Sequence, residues 1–425
     1  MLVVTANWAF SDGTLAASPP RAVVAGFRRE VRRAAVRAGV RRDGRYEPVD
    51  GVEIVLAGDT FDWLVSREWL GDERPWHASR RGRAAFARVV AGSLRRADWL
   101  AGVTARWARC GIEVPAADRR ARPVVGRDCR VPVRVTLLRG DRDRGLDALA
   151  GDTAAAAALR RRGVVLGLCW ASDTATVRHG AEMDPLCTVD AGGATVAETL
   201  AVDLVARFAA AVVDTPALRG VAQGLVDGLV RGRIIDAPIL VARRLAAAAR
   251  GGIAGPGVLA ELRDRWNRSV SGWHRGVRRC GLHGGSGCDL AAALAAWLSV
   301  GHDALERVAA GDVAEPPAIL AAGDREPSTP DVPLTVLGHP AASAAAAEAW
   351  RGRVVCLGPE AATAGPGPAR REGVAAVVDS GGGAADVEWL PIDGRPPTMD
   401  GGPGSLTSAV WRSDSSARPR VLDAA

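Results

Sequence analysis

The 425-residue chain has no lysine, a single tyrosine, three methionines and only 4% aromatic residues. Its seven cysteines are odd in number and form no CxxC pair. That pattern excludes a disulfide framework and a zinc ribbon, and the expected setting is reducing and cytoplasmic. No apolar run reaches the ~18 residues that a membrane helix needs; the greasiest stretch, Leu200–Val213, is broken by Asp203 and Arg207. No membrane span is therefore expected. The opening run Leu2–Ala6 lacks the basic region and longer apolar core of a signal peptide and reads instead as a first strand.

Without lysine, every one of the 55 basic residues is arginine, set against 48 acidic residues for a net charge of +7. Alanine and glycine are abundant as well, so the skew is that of GC-rich coding, and the basic balance is weak ground for a nucleic-acid partner. Arg28–Arg29, Arg32–Arg33 and Arg160–Arg162 lie in helix-like sequence, where charge runs form solvated faces. No nucleic-acid partner is expected.

What is present is a globular composition, 48% hydrophobic and 24% charged. At about 150 residues per domain the length allows two to three domains, or one with an insertion. Short β-like runs recur at Leu2–Thr5, Val52–Ala57, Val133–Leu138, Val164–Cys169, Leu334–Leu337 and Val354–Leu357. Between the first two, Pro20–Val40 carries Val23, Val24, Phe27, Val31 and Ala35 at helical spacing, which predicts an amphipathic helix. The fold class is therefore α/β. From 195 to 329 the pattern becomes helical, with Leu200, Leu204, Phe208 and Val212 at four-residue steps. This stretch reads as an insertion between a first core segment, 1–194, and a second, 330–392. Within the latter, Val374–Asp379 and Ala385–Ile392 flank the glycine-rich Ser380–Ala384 and predict a hairpin. Residues 393–425, rich in Gly, Pro, Ser and Arg, read as a weakly ordered tail with one short strand at Ser408–Arg412.

Four loops carry chemistry. The run Val52–Trp63 leads an apolar strand into Gly58-Asp59 and a second carboxylate, Asp62. A carboxylate at a strand end, behind a glycine that permits a close turn, is well placed to hold a hard or borderline cation. The run Val133–Arg144 repeats the scheme with Gly140, Asp141 and Asp143, and the remaining loops are Arg178-His179-Gly180 and Gly338-His339. Aspartates also hold turns through Asx hydrogen bonds; that role is expected for Asp143 and for Asp12, and the metal role for Asp59. His274, His283 and His302 have no ligand spacing, and the His283–Gly287 stretch lacks the strand and lysine of a phosphate loop.

This ordered set resembles the calcineurin-like metallophosphoesterases, in particular the subgroup similar to UDP-2,3-diacylglucosamine hydrolases, over about 1–190 and 330–392. The family's motifs are Asp-x-His, Gly-Asp-x-x-Asp, Gly-Asn-His-Asp, His-Gly and Gly-His-x-His. The resemblance implies a two-sheet β-sandwich flanked by helices and a two-metal hydrolase. The chain departs from the motifs at Asn7 and Ala9 in the first, at Asp141 and Arg142 in the third and at Ala341 in the last. One metal position thereby loses all its ligands but Asp59. The other keeps Asp59, Asp141, His179 and His339, a set suited to one Zn²⁺, Mn²⁺ or Fe²⁺. Arg142 stands where the family has a histidine beside the leaving group. It cannot deliver a proton near neutral pH, and its expected role is to stabilise phosphate charge.

Two functions follow as expectations. One is a phosphoric-ester or pyrophosphate hydrolase with at most one metal. The other is a catalytically inactive pseudoenzyme that binds a phosphorylated small molecule or a protein partner, using the cleft and Arg139, Arg142 and Arg144.

Overall fold

The computed structural model describes residues 1–146 except 42 and 78, 159–187 except 162 and 174, 193–218, 256–279, 286–299, and the segments 334–339, 354–356, 374–379, 386–391 and 420–422, with isolated positions 226, 229 and 241. In chain order the strands are β1 (Leu2–Thr5), β2 (Val52–Ala57), β3 (Ile112–Ala117), β4 (Pro123–Val131), β5 (Val133–Leu138), β6 (Val164–Gly167), β7 (Cys169–Ala171), β8 (Ala175–Arg178), β9 (Leu334–Leu337), β10 (Val354–Cys356), β11 (Val374–Asp379), β12 (Asp386–Pro391) and β13 (Arg420–Leu422). They form a six-stranded sheet ordered β12-β11-β1-β2-β5-β6 and a five-stranded sheet ordered β10-β9-β8-β7-β13, with β3 and β4 as a separate hairpin. The fold is mixed α/β, as the sequence pattern predicts.

Side-chain alternation along the central strands explains how the sheets are covered. Leu2 and Val4 of β1, Val55 and Ala57 of β2 and Leu138 of β5 pack with Trp170, Ala175, Val177 and Val336 of the second sheet. The alternate residues Val3, Ile54, Leu56, Val135 and Leu137 face a larger cluster containing Phe27, Val31 and Trp107. Those three come from helices α1 (Arg21–Ala38) and α3 (Asp98–Cys110); α2 (Arg80–Arg96) lies between them in sequence. Helix α1 forms where the sequence predicts it. It starts after Pro20, buries Val24, Phe27, Val31, Ala34 and Ala35 along one stripe, and stops at Gly39.

The stretch read as a helical insertion contains three described helices. The first, α4, runs continuously through Val196–Thr199, the π-helical Leu200–Ala206 and Arg207–Val213; α5 is Pro256–Arg279 and α6 is Ser286–Leu298. A capping box, in which the Thr195 hydroxyl accepts from Glu198 N (3.0 Å) and Thr195 N donates to Glu198 Oε2 (2.7 Å), starts α4. No helix among the described residues is long and apolar enough to cross a membrane.

Three expectations need correction or a boundary. The run Val164–Cys169 is not one strand: Gly167 pairs with Leu138 in the first sheet, whereas Cys169 pairs with Arg178 in the second. The chain changes sheets at Gly167-Leu168, a switch that apolar periodicity does not register. Arg420–Leu422, inside the segment read as a tail, pairs antiparallel with β7 and covers its open edge. Ser408–Arg412, the Ser380–Ala384 turn and Ala341 lie outside the described residues, although β11 and β12 pair antiparallel from Val374↔Pro391 to Asp379↔Asp386, as a hairpin requires.

Strands β1, β2, β5 and β6 run parallel, as do β8, β9 and β10. In open parallel sheets the loops at the carboxyl ends of the strands form the crevice where ligands bind. Here those loops begin at residues 6, 58, 139, 179 and 338.

Candidate metal centre

Left-handed turns place the first two of these loops. Asn7, Ala9 and Asp59 have φ of 57°, 51° and 51°, and Gly58 has 89°. Only Gly, Asn and Asp tolerate this region well, so Ala9 is strained. The turns are held by backbone bonds from the first loop to the second: Asn7 N donates to Gly58 O (3.2 Å), Ala9 N to Asp59 O (2.9 Å), and Phe10 N to Thr60 O (3.0 Å). Below them Trp8 stacks with Phe10 and meets Phe27 edge-on, anchoring the first loop in the core.

Close packing between loops dictates their glycines. A Cβ on Gly58 would stand 2.2 Å from His179 Nδ1, and one on Gly140 would stand 2.1 Å from Asp59 Oδ1. The Gly-Asp pairs seen in the sequence are therefore contact points, each bringing a ligand side chain of a neighbouring loop alongside.

The convergence is tight. His179 Nε2 lies 2.7 Å from Asp141 Oδ1 and 3.6 Å from Asp59 Oδ1. His339 Nδ1 lies 3.2 Å from Asp141 Oδ1 and 3.2 Å from His179 Nε2. One ligand atom from each of Asp59, Asp141, His179 and His339 lies within 4.8 Å of every other. Four atoms placed tetrahedrally at about 2.0–2.2 Å from a cation stand roughly 3.3–3.6 Å apart; one of the four separations above reaches that range, two fall just short at 3.2 Å, and the 2.7 Å contact of His179 with Asp141 is a hydrogen bond that a cation would have to open. Asp59, His179 and His339 are buried and Asp141 nearly so.

The outward nitrogens of both imidazoles are also fixed. His179 Nδ1 is 2.9 Å from the Ala57 carbonyl, which can only accept, so Nδ1 carries the hydrogen and Nε2 faces the cluster. His339 Nε2 is 2.9 Å from Asp184 Oδ2, leaving Nδ1 toward the cluster. A histidine ligand oriented by a carbonyl or carboxylate on its far nitrogen is the usual supporting arrangement of a metal site. The donor set of two carboxylates and two oriented imidazoles fits a divalent cation.

Electrostatics agree with that reading. Burial, reinforced by the neighbouring Asp141, raises Asp59 to about 6. Burial acts on Asp141 in the same direction, but His339 and His179 hold its carboxyl well below the ordinary range. Desolvation opposes charge on both imidazoles, yet Asp59 and Asp141 raise His179, and Asp141 and Asp184 raise His339 well above its usual value. Protons on the two histidines and a divalent cation answer the same need, positive charge between buried carboxylates.

The other singled-out residues have different tasks. Asp143 is fully buried, accepts from Gly140 N (2.6 Å) and Phe61 N (3.2 Å), and is pushed up to about 7 by burial and Asp59. It holds a turn, as expected. Asp12 does likewise, accepting from Thr14 N (2.9 Å) and from the Thr14 and Ser66 hydroxyls. Asp62 accepts from Leu64 N and Val65 N through Oδ1, while its Oδ2 pairs with Arg142 Nη1 at 3.0 Å. Arg142 also lies 3.9 Å from Asp59 through Nε, and its backbone N donates to Asp59 Oδ1 at 3.0 Å. Asn7 uses its amide Nδ2 to donate to Gly338 O (2.8 Å), tying the first loop to the last. Arg144 pairs with Glu198 (3.3 Å) at the start of α4. His274 stands beside Trp273 on α5, and residues 283 and 302 lie outside the described residues.

Sequence reasoning missed Asp184 and Cys187. Both lie just after His179, in two 3₁₀ turns, Ala181–Met183 and Pro185–Cys187. Their three-residue spacing was the available signal. No protein-family model, curated protein or solved structure matches this chain.

Proposed function

We propose that the protein is metallophosphoesterase-like, holding one divalent cation on Asp59, Asp141, His179 and His339 and acting there on a phosphoric ester or pyrophosphate. The observation that carries this reading is the approach of four ligand atoms, from four distant loops, to within 4.8 Å of one another at the carboxyl ends of parallel strands. A cation bound there would act as a Lewis acid toward a phosphoryl oxygen. Asp59 and Asp141 would balance its charge, while Ala57 O and Asp184 keep the imidazoles aimed. Mn²⁺-dependent hydrolysis of an aryl phosphodiester that is lost in Asp59→Ala supports the hydrolase.

One observation favours a second reading, a catalytically inactive protein that binds a phosphorylated ligand or a protein partner. Arg142 is ion-paired with Asp62 and beside Asp59, and an arginine cannot supply the proton a leaving group needs. Cation binding with turnover at background supports this reading.

A further inference from the structure

His339 presents donors on both sides of its ring. Its Nδ1 faces Asp141 and His179, whereas Nε2 faces a different group of atoms. There Asp184 Oδ2 approaches to 2.9 Å. One ligand atom from each of Asp184, Cys187 and His339 lies within 4.8 Å of the others.

The local backbone builds this constellation. Asp184 N donates to Ala181 O (3.0 Å) and Cys187 N to Asp184 O (2.9 Å), so Asp184, extended at φ −88° and ψ 119°, closes the first 3₁₀ turn and opens the second. Asp184 Oδ1 accepts from Leu186 N at 2.8 Å, which fixes the carboxylate and leaves Oδ2 toward His339. The bond from Cys187 N to Asp184 O closes a single 3₁₀ turn, which brings Cys187 back beside Asp184. Among the described residues the other cysteines, Cys110, Cys129 and Cys169, belong to no such group.

We infer that Asp184, Cys187 and His339 form a second cation site, selective for a thiophilic ion such as Zn²⁺, that shares His339 with the first. The inference rests on the proposed role of His339 in the first site and adds a chemically distinct neighbour. A carboxylate, a thiolate and an imidazole are three Zn²⁺ ligands, and three protein ligands leave a fourth position open. Thiolate disfavours Mn²⁺ and Mg²⁺, which prefer oxygen. Both sites can take Zn²⁺, but only the quartet, built from nitrogen and oxygen, also suits Mn²⁺, so Mn²⁺ reports the quartet and a sulfur-to-metal band the triad. Loading the triad takes the Nε2 proton from His339, so an ion on each side makes the ring a bridge between them. With only the first site loaded, Asp184 remains the acceptor that orients His339.

Co²⁺ titration followed by optical absorption tests the triad, and Mn²⁺ titration followed by electron paramagnetic resonance tests the quartet separately. The full chain is expected to show a sulfur-to-cobalt charge-transfer band that is lost in Cys187→Ser and retained in Asp59→Asn. In the Asp59→Asn background, which breaks the quartet, Zn²⁺ affinity read by competition with a chromogenic chelator should fall on the order of a hundredfold when Cys187→Ser or Asp184→Asn is added. Absence of the band in the unmodified chain, or its persistence in Cys187→Ser, overturns the inference. If the band behaves as expected while Mn²⁺ fails to bind, the sulfur site stands and the first-site reading falls.

Discussion

Replacing Arg142 with methionine separates two roles for this residue, an internal counter-cation and a phosphate-binding group. The Arg142 side chain is 19% exposed and that of Asp62 is fully buried, and the two meet at 3.0 Å. Asp59, 5% exposed, lies on the other flank of the guanidinium. Removing one partner of a buried ion pair costs about 3–5 kcal/mol, because the remaining charge is left without compensation. Partial exposure of Arg142 places the expected loss near the lower end, about 3 kcal/mol. Urea denaturation, read by the fluorescence of the buried tryptophans, measures it. The companion Asp62→Asn keeps the Oδ1 acceptor for Leu64 N and Val65 N while removing the charge. In a double-mutant cycle the two changes should be coupled by about 2 kcal/mol. A cost below about 1 kcal/mol, the value of an exposed pair, would refute the counter-cation role. So would full additivity of the two substitutions.

Further outcomes follow from other contacts. Gly140→Ala sets a methyl 2.1 Å from Asp59 Oδ1, so Mn²⁺ affinity should fall at least about tenfold, as it does when a ligand's support is displaced; unchanged binding in equilibrium dialysis would contradict the packing argument. Burial raises Glu53 above its ordinary value despite Arg134 and the N-terminal amine. The native state therefore binds that proton more tightly than the unfolded chain, and stability is lost as pH climbs through the raised value. Glu53→Gln should thus gain on the wild type from acid toward neutral pH in urea titrations, and a gap that widens in acid would be the wrong sign. Thr195→Ala removes the hydroxyl that caps α4 and should cost about 1 kcal/mol in the same assay. The combined change Asn7→Asp, Ala9→His, Asp141→Asn, Arg142→His and Ala341→His should raise phosphodiester turnover, and no gain would mean that the cleft differs from that of the resembled family.

Much of the site was legible because strand ends announce themselves. The apolar runs before Gly58-Asp59, Gly140-Asp141 and Gly338-His339 gave β2, β5 and β9 with their bounds, and the ligand candidates sit two or three residues beyond. Asp143 and Asp12 were readable as turn residues because an aspartate near glycine commonly bonds its own backbone. Long-range pairing was not legible. The crossing between sheets at Gly167-Leu168 depends on which strand lies opposite, and the edge strand Arg420–Leu422 gains its partner only from β7. Strands β3 and β4 went unread because Glu113 and Pro115 break the first and the exposed Arg127, Asp128 and Arg130 break the second. Asp184 and Cys187 were missed for a related reason: their partner, His339, is more than 150 residues away.

Four loops are proposed to grip one cation. Equilibrium dialysis against Mn²⁺, with the bound ion counted per chain, tests it most directly. One Mn²⁺ is expected, lost in Asp59→Asn and in His179→Ala while the far-ultraviolet circular dichroism is unchanged. Two Mn²⁺ per chain, none, or one that survives both substitutions would contradict it.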